Sequence, residues 1–173
     1  MPPRGPRPGR SFSLVAATAE HAEGTRAIFN RAVETSTVTF EMTPRTLADQ
    51  LAWVEEHSGA HPAVVAVEPT GQVIGFGSLS PYRPRAAYST TVEDSVYVHH
   101  AFQRQGVGRA LLEELLALAA AHGFHSVIGR VVDSNEGSVA LHLACGFEIV
   151  GTEREVGRKF GRWLDVVCLQ KLV

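Results

Sequence analysis

The most informative segment of the chain reads Val96-Tyr97-Val98-His99-His100-Ala101-Phe102-Gln103-Arg104-Gln105-Gly106-Val107-Gly108-Arg109-Ala110-Leu111-Leu112. Its first three residues are β-branched or aromatic, which predicts a strand. Apolar residues from Val107 to Leu118 recur every three or four positions, which predicts a helix. The first turn of a helix has N–H groups without intrahelical partners and carries partial positive charge. The segment therefore predicts a strand, an anion-binding turn and a helix in direct succession.

The turn itself contains two glycines and two arginines. Gly106 and Gly108 lack the Cβ atoms that would keep a pyrophosphate away from the backbone, and Arg104 and Arg109 can add charge-assisted hydrogen bonds. An ordinary tight turn explains a Gly-x-Gly spacing equally well. No Gly-Lys-Ser/Thr follows, which excludes a Walker A loop, and the third glycine and acidic residue of a dinucleotide fingerprint are missing.

The composition is that of an ordinary globular protein. The 173 residues are 45% hydrophobic and 20% charged, with a formal net charge of −2, so the length predicts one domain and the charge gives no reason to expect a nucleic-acid partner. Positive charge is concentrated in the proline- and glycine-rich start of the chain, so we expect residues 1–11 to form a disordered tail before a single domain over 12–173. That start lacks the apolar core of a signal peptide, and no segment approaches the roughly 18 apolar residues of a membrane span, which predicts a cytoplasmic protein without a membrane partner.

Cysteine and histidine give little indication of redox or metal chemistry. Cys145 and Cys168 are not in a Cys-x-x-Cys pair and have apolar neighbours, so we expect both to be reduced and buried. His99 and His100 are adjacent on a predicted strand end and point to opposite faces. We therefore expect no metal site.

Hydrophobic periodicity predicts strands and helices that alternate in the middle of the chain and hairpins at both ends. This order indicates an α/β or α+β fold, a mixed sheet with helices on both faces. The predicted strands are 12–16, 63–67, 73–79, 90–98, 126–132, 147–152 and 164–172, with 157–163 as the last hairpin. The predicted helices run from Thr18 to about Val33, from Thr43-Pro44, from 107 to about His122, and from a cap at Ser134 or Asn135 to Gly146.

A Gln-x-x-Gly-x-Gly pattern after a Val-Tyr-Val strand resembles the acetyl-coenzyme A loop of the GNAT N-acetyltransferase superfamily, and the order of elements over 12–172 is similar to that superfamily. Segments 34–40, 92–98 and 157–165 resemble the branch that acetylates phosphinothricin, methionine sulfone and related small amino acids. The resemblance implies the acyl-coenzyme A N-acyltransferase fold, with a central mixed seven-stranded sheet flanked by about four helices.

The same resemblance assigns the cofactor site. It implies that the fourth and fifth strands splay apart, that Val96, Tyr97 and Val98 pair with the pantetheine arm, and that a splayed main-chain amide contacts the thioester carbonyl. Asn135 and Ser138 would contact the arm as well, and for Asn135 this is compatible with a helix-capping role. The pyrophosphate would be held by Gln103, Arg104, Gln105, Gly106, Val107, Gly108 and Arg109.

Glu93 is the candidate catalytic residue. A primary amine must lose a proton before it attacks a thioester, and a carboxylate facing the cleft can accept that proton directly or through water. The alternative is a solvated strand carboxylate. Asp94 points to the opposite face by strand alternation and serves as an internal comparison.

The resemblance also assigns the acceptor site. Arg85 would bind the carboxylate of an amino-acid substrate through two hydrogen bonds, and Phe40 and Tyr88 would form the walls. The alternatives are solvent contact for Arg85 and plain packing for the two aromatic rings.

Together these features predict an acetyl-coenzyme A-dependent N-acetyltransferase that acts on the primary amine of a small amino-acid-like molecule, in a detoxifying role. Cysteine, histidine and acidic residues form no acyl-enzyme arrangement in the sequence, so we expect direct transfer in a ternary complex. The alternatives are acetylation of a protein N-terminus, a lysine or an aminoglycoside, and a non-catalytic acyl-coenzyme A-binding protein. By resemblance we also expect a homodimer.

Overall fold

A computed structural model of the protein describes residues 11–173, so the predicted N-terminal tail lies, apart from residue 11, outside the described residues. Short 3-10 turns at Ala19–His21, Ala86–Tyr88 and His100–Phe102 separate some of the regular elements. The strands and helices are β1 (Ser13–Ala16), α1 (Ala22–Thr35), α2 (Leu47–Glu56), β2 (Ala63–Val67), β3 (Val73–Pro81), β4 (Thr91–Val98), α3 (Val107–Ala121), β5 (Ser126–Val132), α4 (Glu136–Ala144), β6 (Glu148–Lys159) and β7 (Arg162–Leu172).

The seven strands form one mixed sheet in the order β1-β2-β3-β4-β5-β7-β6. Neighbouring strands are antiparallel except β4 and β5, which run parallel and are joined through α3. A parallel pair needs such a crossover because its connection must return to the starting end of the sheet. The predicted mixed seven-stranded sheet with four α-helices is confirmed.

Helices cover both faces of the sheet. On one face, Ile28, Phe29 and Val33 of α1 pack against Val65 and Phe76. On the other face, α3 presents a leucine stripe that is inaccessible to solvent, and each buried leucine contributes roughly 1.5–3 kcal/mol. That stripe comprises Leu111, Leu112 and Leu115.

The predicted start of the second helix at Thr43-Pro44 is wrong. The helix begins three residues later, where the Thr46 hydroxyl accepts from the Asp49 N–H at 3.1 Å and the Asp49 carboxylate accepts from the Thr46 N–H at 2.8 Å. This capping box satisfies two otherwise unpaired backbone groups, which a proline at the first turn cannot do. Within residues 11–173, no helix has the length and apolar character that crossing a bilayer requires.

The predicted last hairpin is also too wide. The strands β6 and β7 extend to Lys159 and Arg162, and the turn consists of Phe160 and Gly161, which both have positive φ. A two-residue turn of this handedness matches the twist of the paired strands. The two strands are therefore longer, and the turn between them shorter, than the sequence predicts.

Candidate active site

A cleft opens in the middle of the sheet where β4 and β5 separate. The two strands pair only from Thr91↔Ser126 to Glu93↔Ile128. Beyond that point β4 stays paired with β3, and β5 stays paired with β7. Main-chain groups of the two strands therefore face a cleft of about 620 Å³ rather than each other. The implied splay of the fourth and fifth strands is present in this chain.

The N-terminus of α3 has the free donors that an anion site requires. Gly106 is the N-cap with φ of 88° and provides no side chain to cap the helix. Within residues 11–173, the first α3 amide with an acceptor is that of Ala110, which donates to the Gly106 carbonyl at 3.0 Å. The N–H groups of Val107, Gly108 and Arg109 are thus available to a phosphate.

The two glycines of this turn have different roles. Gly106 adopts the left-handed backbone conformation that non-glycine residues rarely tolerate, and a Cβ there would meet open space. At Gly108, by contrast, a Cβ would lie 3.3 Å from Leu141 and 3.5 Å from Val98. Gly108 therefore also permits α3 to pack closely against α4 and β4.

The side chains of the loop do not all point toward the cleft. Gln103 lines it, whereas Gln105 donates to the Ala101 carbonyl at 3.0 Å. Arg109 turns along α3 and pairs with Glu113 at 2.7 Å. Arg104 is exposed, with φ of 58°, and forms no ion pair with residues 11–173. Of the two arginines, Arg104 has the guanidinium that is free for a phosphate, while Arg109 offers its backbone amide.

The remaining predicted cofactor residues lie around the same cleft. Asn135 caps α4 by accepting from the Ser138 N–H at 3.3 Å, and both residues line the cleft. The capping role and a cofactor contact are thus compatible, as expected, and the contact itself stays a prediction. The three β4 residues whose backbones are predicted to pair with the cofactor also line the cleft: Val96, Tyr97 and Val98.

Glu93 lies at the point where the strands separate. It is half-buried, lines the cleft, and faces α1 and α2 together with Ser95 and Tyr97 because alternate residues of a strand share a face. Burial raises the pKa of its carboxyl above the ordinary value, and the positive charge of Arg130 opposes that shift. A raised pKa brings a carboxylate closer to the range in which a general base works. Its catalytic role stays a prediction that this placement supports.

Asp94 is on the opposite face, as strand alternation predicts, but it is not an inert comparison for Glu93. Its carboxylate is buried, lines the cleft and contacts His142 of α4, with Oδ1 3.0 Å from Nε2. Its second oxygen, Oδ2, has no hydrogen-bond partner within residues 11–173. A substitution at Asp94 would therefore disturb the cleft as well.

His142 is a cleft residue that sequence reasoning missed. Its Nδ1 lies 2.7 Å from the Ser138 carbonyl, which can only accept, so this nitrogen carries a proton. Burial alone would lower the pKa of His142, but the hydrogen bond to Asp94 and its charge outweigh burial and raise it. Gly129 makes the arrangement possible, because a Cβ there would lie 2.7 Å from the imidazole ring.

Two of the three distinctive sequence segments meet at the acceptor side of the cleft. Phe40 lines the cleft, and its ring covers Gly157 so closely that a Cβ at 157 would lie 2.3 Å from Cε2. Nearby, the buried Lys159 donates from Nζ to the Thr39 carbonyl at 2.9 Å. The predicted wall at Phe40 thus depends on a hairpin at the other end of the chain.

Arg85 and Tyr88 are the other predicted acceptor residues, and neither of them lines this cleft. They belong to the segment between β3 and β4, where Arg85 is exposed and Tyr88 packs edge-on against Tyr82 with ring centroids 5.5 Å apart. Arg83 lies over both tyrosine rings. Their roles stay predictions, because the described chain alone leaves them outside the cleft lining.

Comparison with known proteins agrees with this architecture. A sequence model described as the acetyltransferase (GNAT) family matches residues 25–147. An L-methionine sulfoximine/L-methionine sulfone acetyltransferase of Pseudomonas aeruginosa is 38% identical over 148 residues, covering 85% of this chain and 86% of that protein. A phosphinothricin N-acetyltransferase of Alcaligenes faecalis is 39% identical over 146 residues, covering 84% and 74%. The crystal structure of a phosphinothricin acetyltransferase from Sinorhizobium meliloti in complex with acetyl-coenzyme A superposes with a TM-score of 0.90 at 35% identity, covering 94% and 88%.

Proposed function

We propose that this chain, which belongs to the acetyltransferase (GNAT) family and is an acetyl-coenzyme A-dependent N-acetyltransferase, acetylates the primary amine of small amino acids of the phosphinothricin or methionine sulfone type. The observation that carries the proposal is the cleft between β4 and β5, which is lined by the half-buried Glu93 and by Gln103 of the turn that precedes the free amides of α3.

The residues around the cleft fit the nucleotide thioester. The unpaired amides at the start of α3 and the free guanidinium of Arg104 suit a pyrophosphate, and the splayed edge of β4 offers main-chain groups to an extended amide-containing arm. Asn135 and Ser138 lie on the opposite wall. When bound there, acetyl-coenzyme A supplies an acetyl group activated as a thioester.

Glu93 performs the proton transfer in this proposal. It accepts a proton from the acceptor's ammonium group, directly or through a water molecule, and thereby frees the lone pair that attacks the acetyl carbon. The thioester C–S bond would then break, and coenzyme A would leave as a thiolate that takes up the proton lost by the new amide nitrogen. Main-chain N–H groups in the splay would stabilise charge that develops on the carbonyl oxygen. The pair of His142 and Asp94 lies on the other face of β4, where His142 donates its Nδ1 proton to the Ser138 carbonyl.

Transfer is direct in this proposal, without an acyl-enzyme. Neither Cys145 nor Cys168 lines the cleft, and burial raises the pKa of the Cys145 thiol, which disfavours the nucleophilic thiolate. Initial-velocity plots against both substrates are therefore expected to intersect; parallel plots would show a covalent intermediate instead.

The acceptor assay tests the proposal as a whole. We expect release of free thiol from acetyl-coenzyme A with phosphinothricin, methionine sulfone and methionine sulfoximine, and little release with aminoglycosides or peptides. The half-buried carboxylate and apolar walls suit a small molecule, whereas a polycationic antibiotic requires several acidic groups. Turnover confined to aminoglycosides or peptide N-termini would overturn the substrate class and leave the acetyltransferase activity standing.

Arg85 remains the proposed contact for the acceptor's α-carboxylate, reached by movement of its exposed segment or supplied across a dimer. Its guanidinium is exposed and forms no ion pair within residues 11–173, which supports this proposal. Calorimetric titration of acceptors into Arg85→Ala is expected to show weaker binding than the wild type, and unchanged affinity would count against the contact.

We also propose a homodimer formed through the β6 side of the sheet. The edge strand β6 exposes Ile149, Val150 and Val156, and the adjoining hairpin exposes Phe160 and Trp163, each at least half accessible. Apolar side chains clustered on a sheet edge favour association with another chain. Sedimentation velocity is expected to give twice the mass of the 18.7 kDa chain, and a monomer at micromolar concentration would contradict it.

A further inference from the structure

A second, smaller cavity lies on the face of the sheet that carries Glu93. Its volume is about 190 Å³, enough for the side chain of an amino acid but not for a nucleotide. It shares Thr39, Ser95 and Tyr97 with the main cleft, so the two spaces adjoin along β4.

The floor of this cavity continues the line of the candidate base. The antiparallel register of β3 and β4 places Glu93 beside Ser80, Ser95 beside Ser78 and Tyr97 beside Phe76. Alternate residues share a face, so these pairs form a row that changes from polar to aromatic with distance from Glu93. A molecule whose amine lies at Glu93 can therefore extend its other end along this row.

Arg45 lines the far part of the cavity, beside the aromatic end of the row. Its guanidinium carbon lies 3.8 Å from the centre of the Phe29 ring and 5.6 Å from that of Trp53. It forms no ion pair with any carboxylate in residues 11–173, although the exposed Glu41 also lines the cavity. Burial lowers the pKa of Arg45, and the charges of Glu41, Asp49 and Glu56 offset that effect only in part, so an anionic ligand at the guanidinium would stabilise it further.

The position of the guanidinium is fixed before any ligand arrives. Nη1 donates to Gln50 Oε1 at 3.1 Å, and Gln50, which is fully buried, donates in turn from Nε2 to the Thr25 hydroxyl at 3.1 Å. The backbone N–H of Arg45 donates to Asn30 Oδ1 at 2.8 Å. Only one of the five guanidinium N–H groups has an acceptor within residues 11–173, so the others are free to bind oxygen atoms.

We infer that Arg45 determines acceptor specificity by binding the distal oxygen atoms of the amino-acid side chain, with a preference for an anionic group such as a phosphinate. The inference rests on the proposed function and adds which end of the acceptor this cavity recognises. Tyr97 and Phe29 enclose the intervening carbon chain.

Distance favours the distal group over the α-carboxylate. Positions 93 and 97 are four residues apart on a strand, which corresponds to roughly 13 Å at about 3.3 Å per residue. An α-carboxylate is attached to the carbon that bears the amine, so it stays close to Glu93. A group a further three or four bonds away extends about 4–5 Å farther along the row, so of the two groups it is the one that lies nearer the arginine.

The test compares acceptors of matched length in the wild type and in Arg45→Met. The acceptors are phosphinothricin, with an anionic distal group, methionine sulfone, with neutral distal oxygens, and methionine, with none. Loss of charge-assisted hydrogen bonds is expected to lower kcat/KM for phosphinothricin about 30-fold and for methionine sulfone about 5-fold. The value for methionine should change by less than about 2-fold, as should the affinity for acetyl-coenzyme A.

Two further variants keep the test decisive if Arg45→Met fails to fold. Gln50→Glu places a carboxylate on the guanidinium while preserving shape, and is expected to reduce the preference for phosphinothricin over methionine in the same direction. Glu114→Gln removes an exposed charge on α3, away from both cavities, and should leave all ratios unchanged. Equal losses for the three acceptors, or none, would overturn the inference while the proposed function stands. Absence of turnover with every amino acid in the wild type would overturn both.

Discussion

The turn before α3 takes all its groups from the consecutive residues 103–109, whereas the acceptor side joins Thr39 to Lys159, 120 positions away. The first region depends on a helix terminus and a glycine in the left-handed conformation, which are local properties of the backbone. The second depends on how a loop and a hairpin pack together. In the proposed function, binding of the shared cofactor depends on the first region and the acceptor wall at Phe40 depends on the second.

Substitution of Glu93 is expected to reduce activity most and to leave cofactor binding unchanged. Glu93→Gln removes the proton acceptor and is expected to lower kcat about 100- to 1000-fold. The affinity for acetyl-coenzyme A should change less than about 2-fold, because Glu93 faces α1 and α2 rather than the turn before α3. Thiol release and calorimetry measure the two quantities, with the exposed Glu55→Gln as a control for charge. A variant with wild-type turnover would exclude Glu93 as the base.

A change confined to the acceptor side comes next. In Gly157→Ala the added Cβ would lie 2.3 Å from Phe40, so the ring must move, and we expect the acceptor KM to rise about 10-fold. Acetyl-coenzyme A affinity should stay constant. Gly151→Ala is a matched control on the same strand, because a Cβ there has no atom within 4 Å. Equal kinetics in the two variants would show that Phe40 is not part of the acceptor wall.

A substitution at Gly106 is expected to weaken acetyl-coenzyme A binding and to leave the acceptor wall intact. Gly106→Ala forces a side chain into a backbone with φ of 88°, which costs about 1–2 kcal/mol, and is expected to weaken acetyl-coenzyme A binding about 5-fold. Gly71→Ala imposes the same strain at φ of 87° in the β2–β3 turn. Both variants should lose similar thermal stability, but only the first should bind the thioester less tightly. A similar loss of affinity in both would assign the effect to general destabilisation.

The smallest effect is a shift in pH dependence. Glu93 must be ionised to accept a proton, so activity falls as the pH drops through its pKa. Burial raises that pKa and the charge of Arg130 opposes the rise, so Arg130→Gln should move the acid limb of kcat/KM to higher pH. The negative charge of Glu153 raises the same pKa, and Glu153→Gln should move the limb downward. Shifts in the same direction would contradict this electrostatic account.

The contrast between the two regions also explains what sequence could predict. Strand β5 and the strand–turn–helix unit around Gly106 follow from local patterns, and their positions were correctly predicted. The face of α2 was not. The local pattern of α2 predicts Leu47, Leu51 and Val54 as its apolar face; Val54 is buried, but Leu47 and Leu51 are substantially exposed, whereas Gln50 is fully buried.

Gln50 is buried because both ends of its amide find partners, Thr25 on α1 and Arg45 on the preceding loop. No periodicity within α2 can reveal partners supplied by other segments. The same reason applies to His142, whose contact with Asp94 spans 48 positions and joins a helix to a strand. Sequence motifs therefore located the turn before α3 but missed the residues whose roles depend on tertiary contacts.

The bond between Lys159 and Thr39 has a consequence for how the enzyme matures during translation. The chain emerges from the ribosome from its N-terminus, so the loop at residue 39 is synthesised long before the lysine that secures it. Residues 103–109 have already been made by then. The loop that carries Phe40 can therefore be secured only after the turn before α3 has been synthesised.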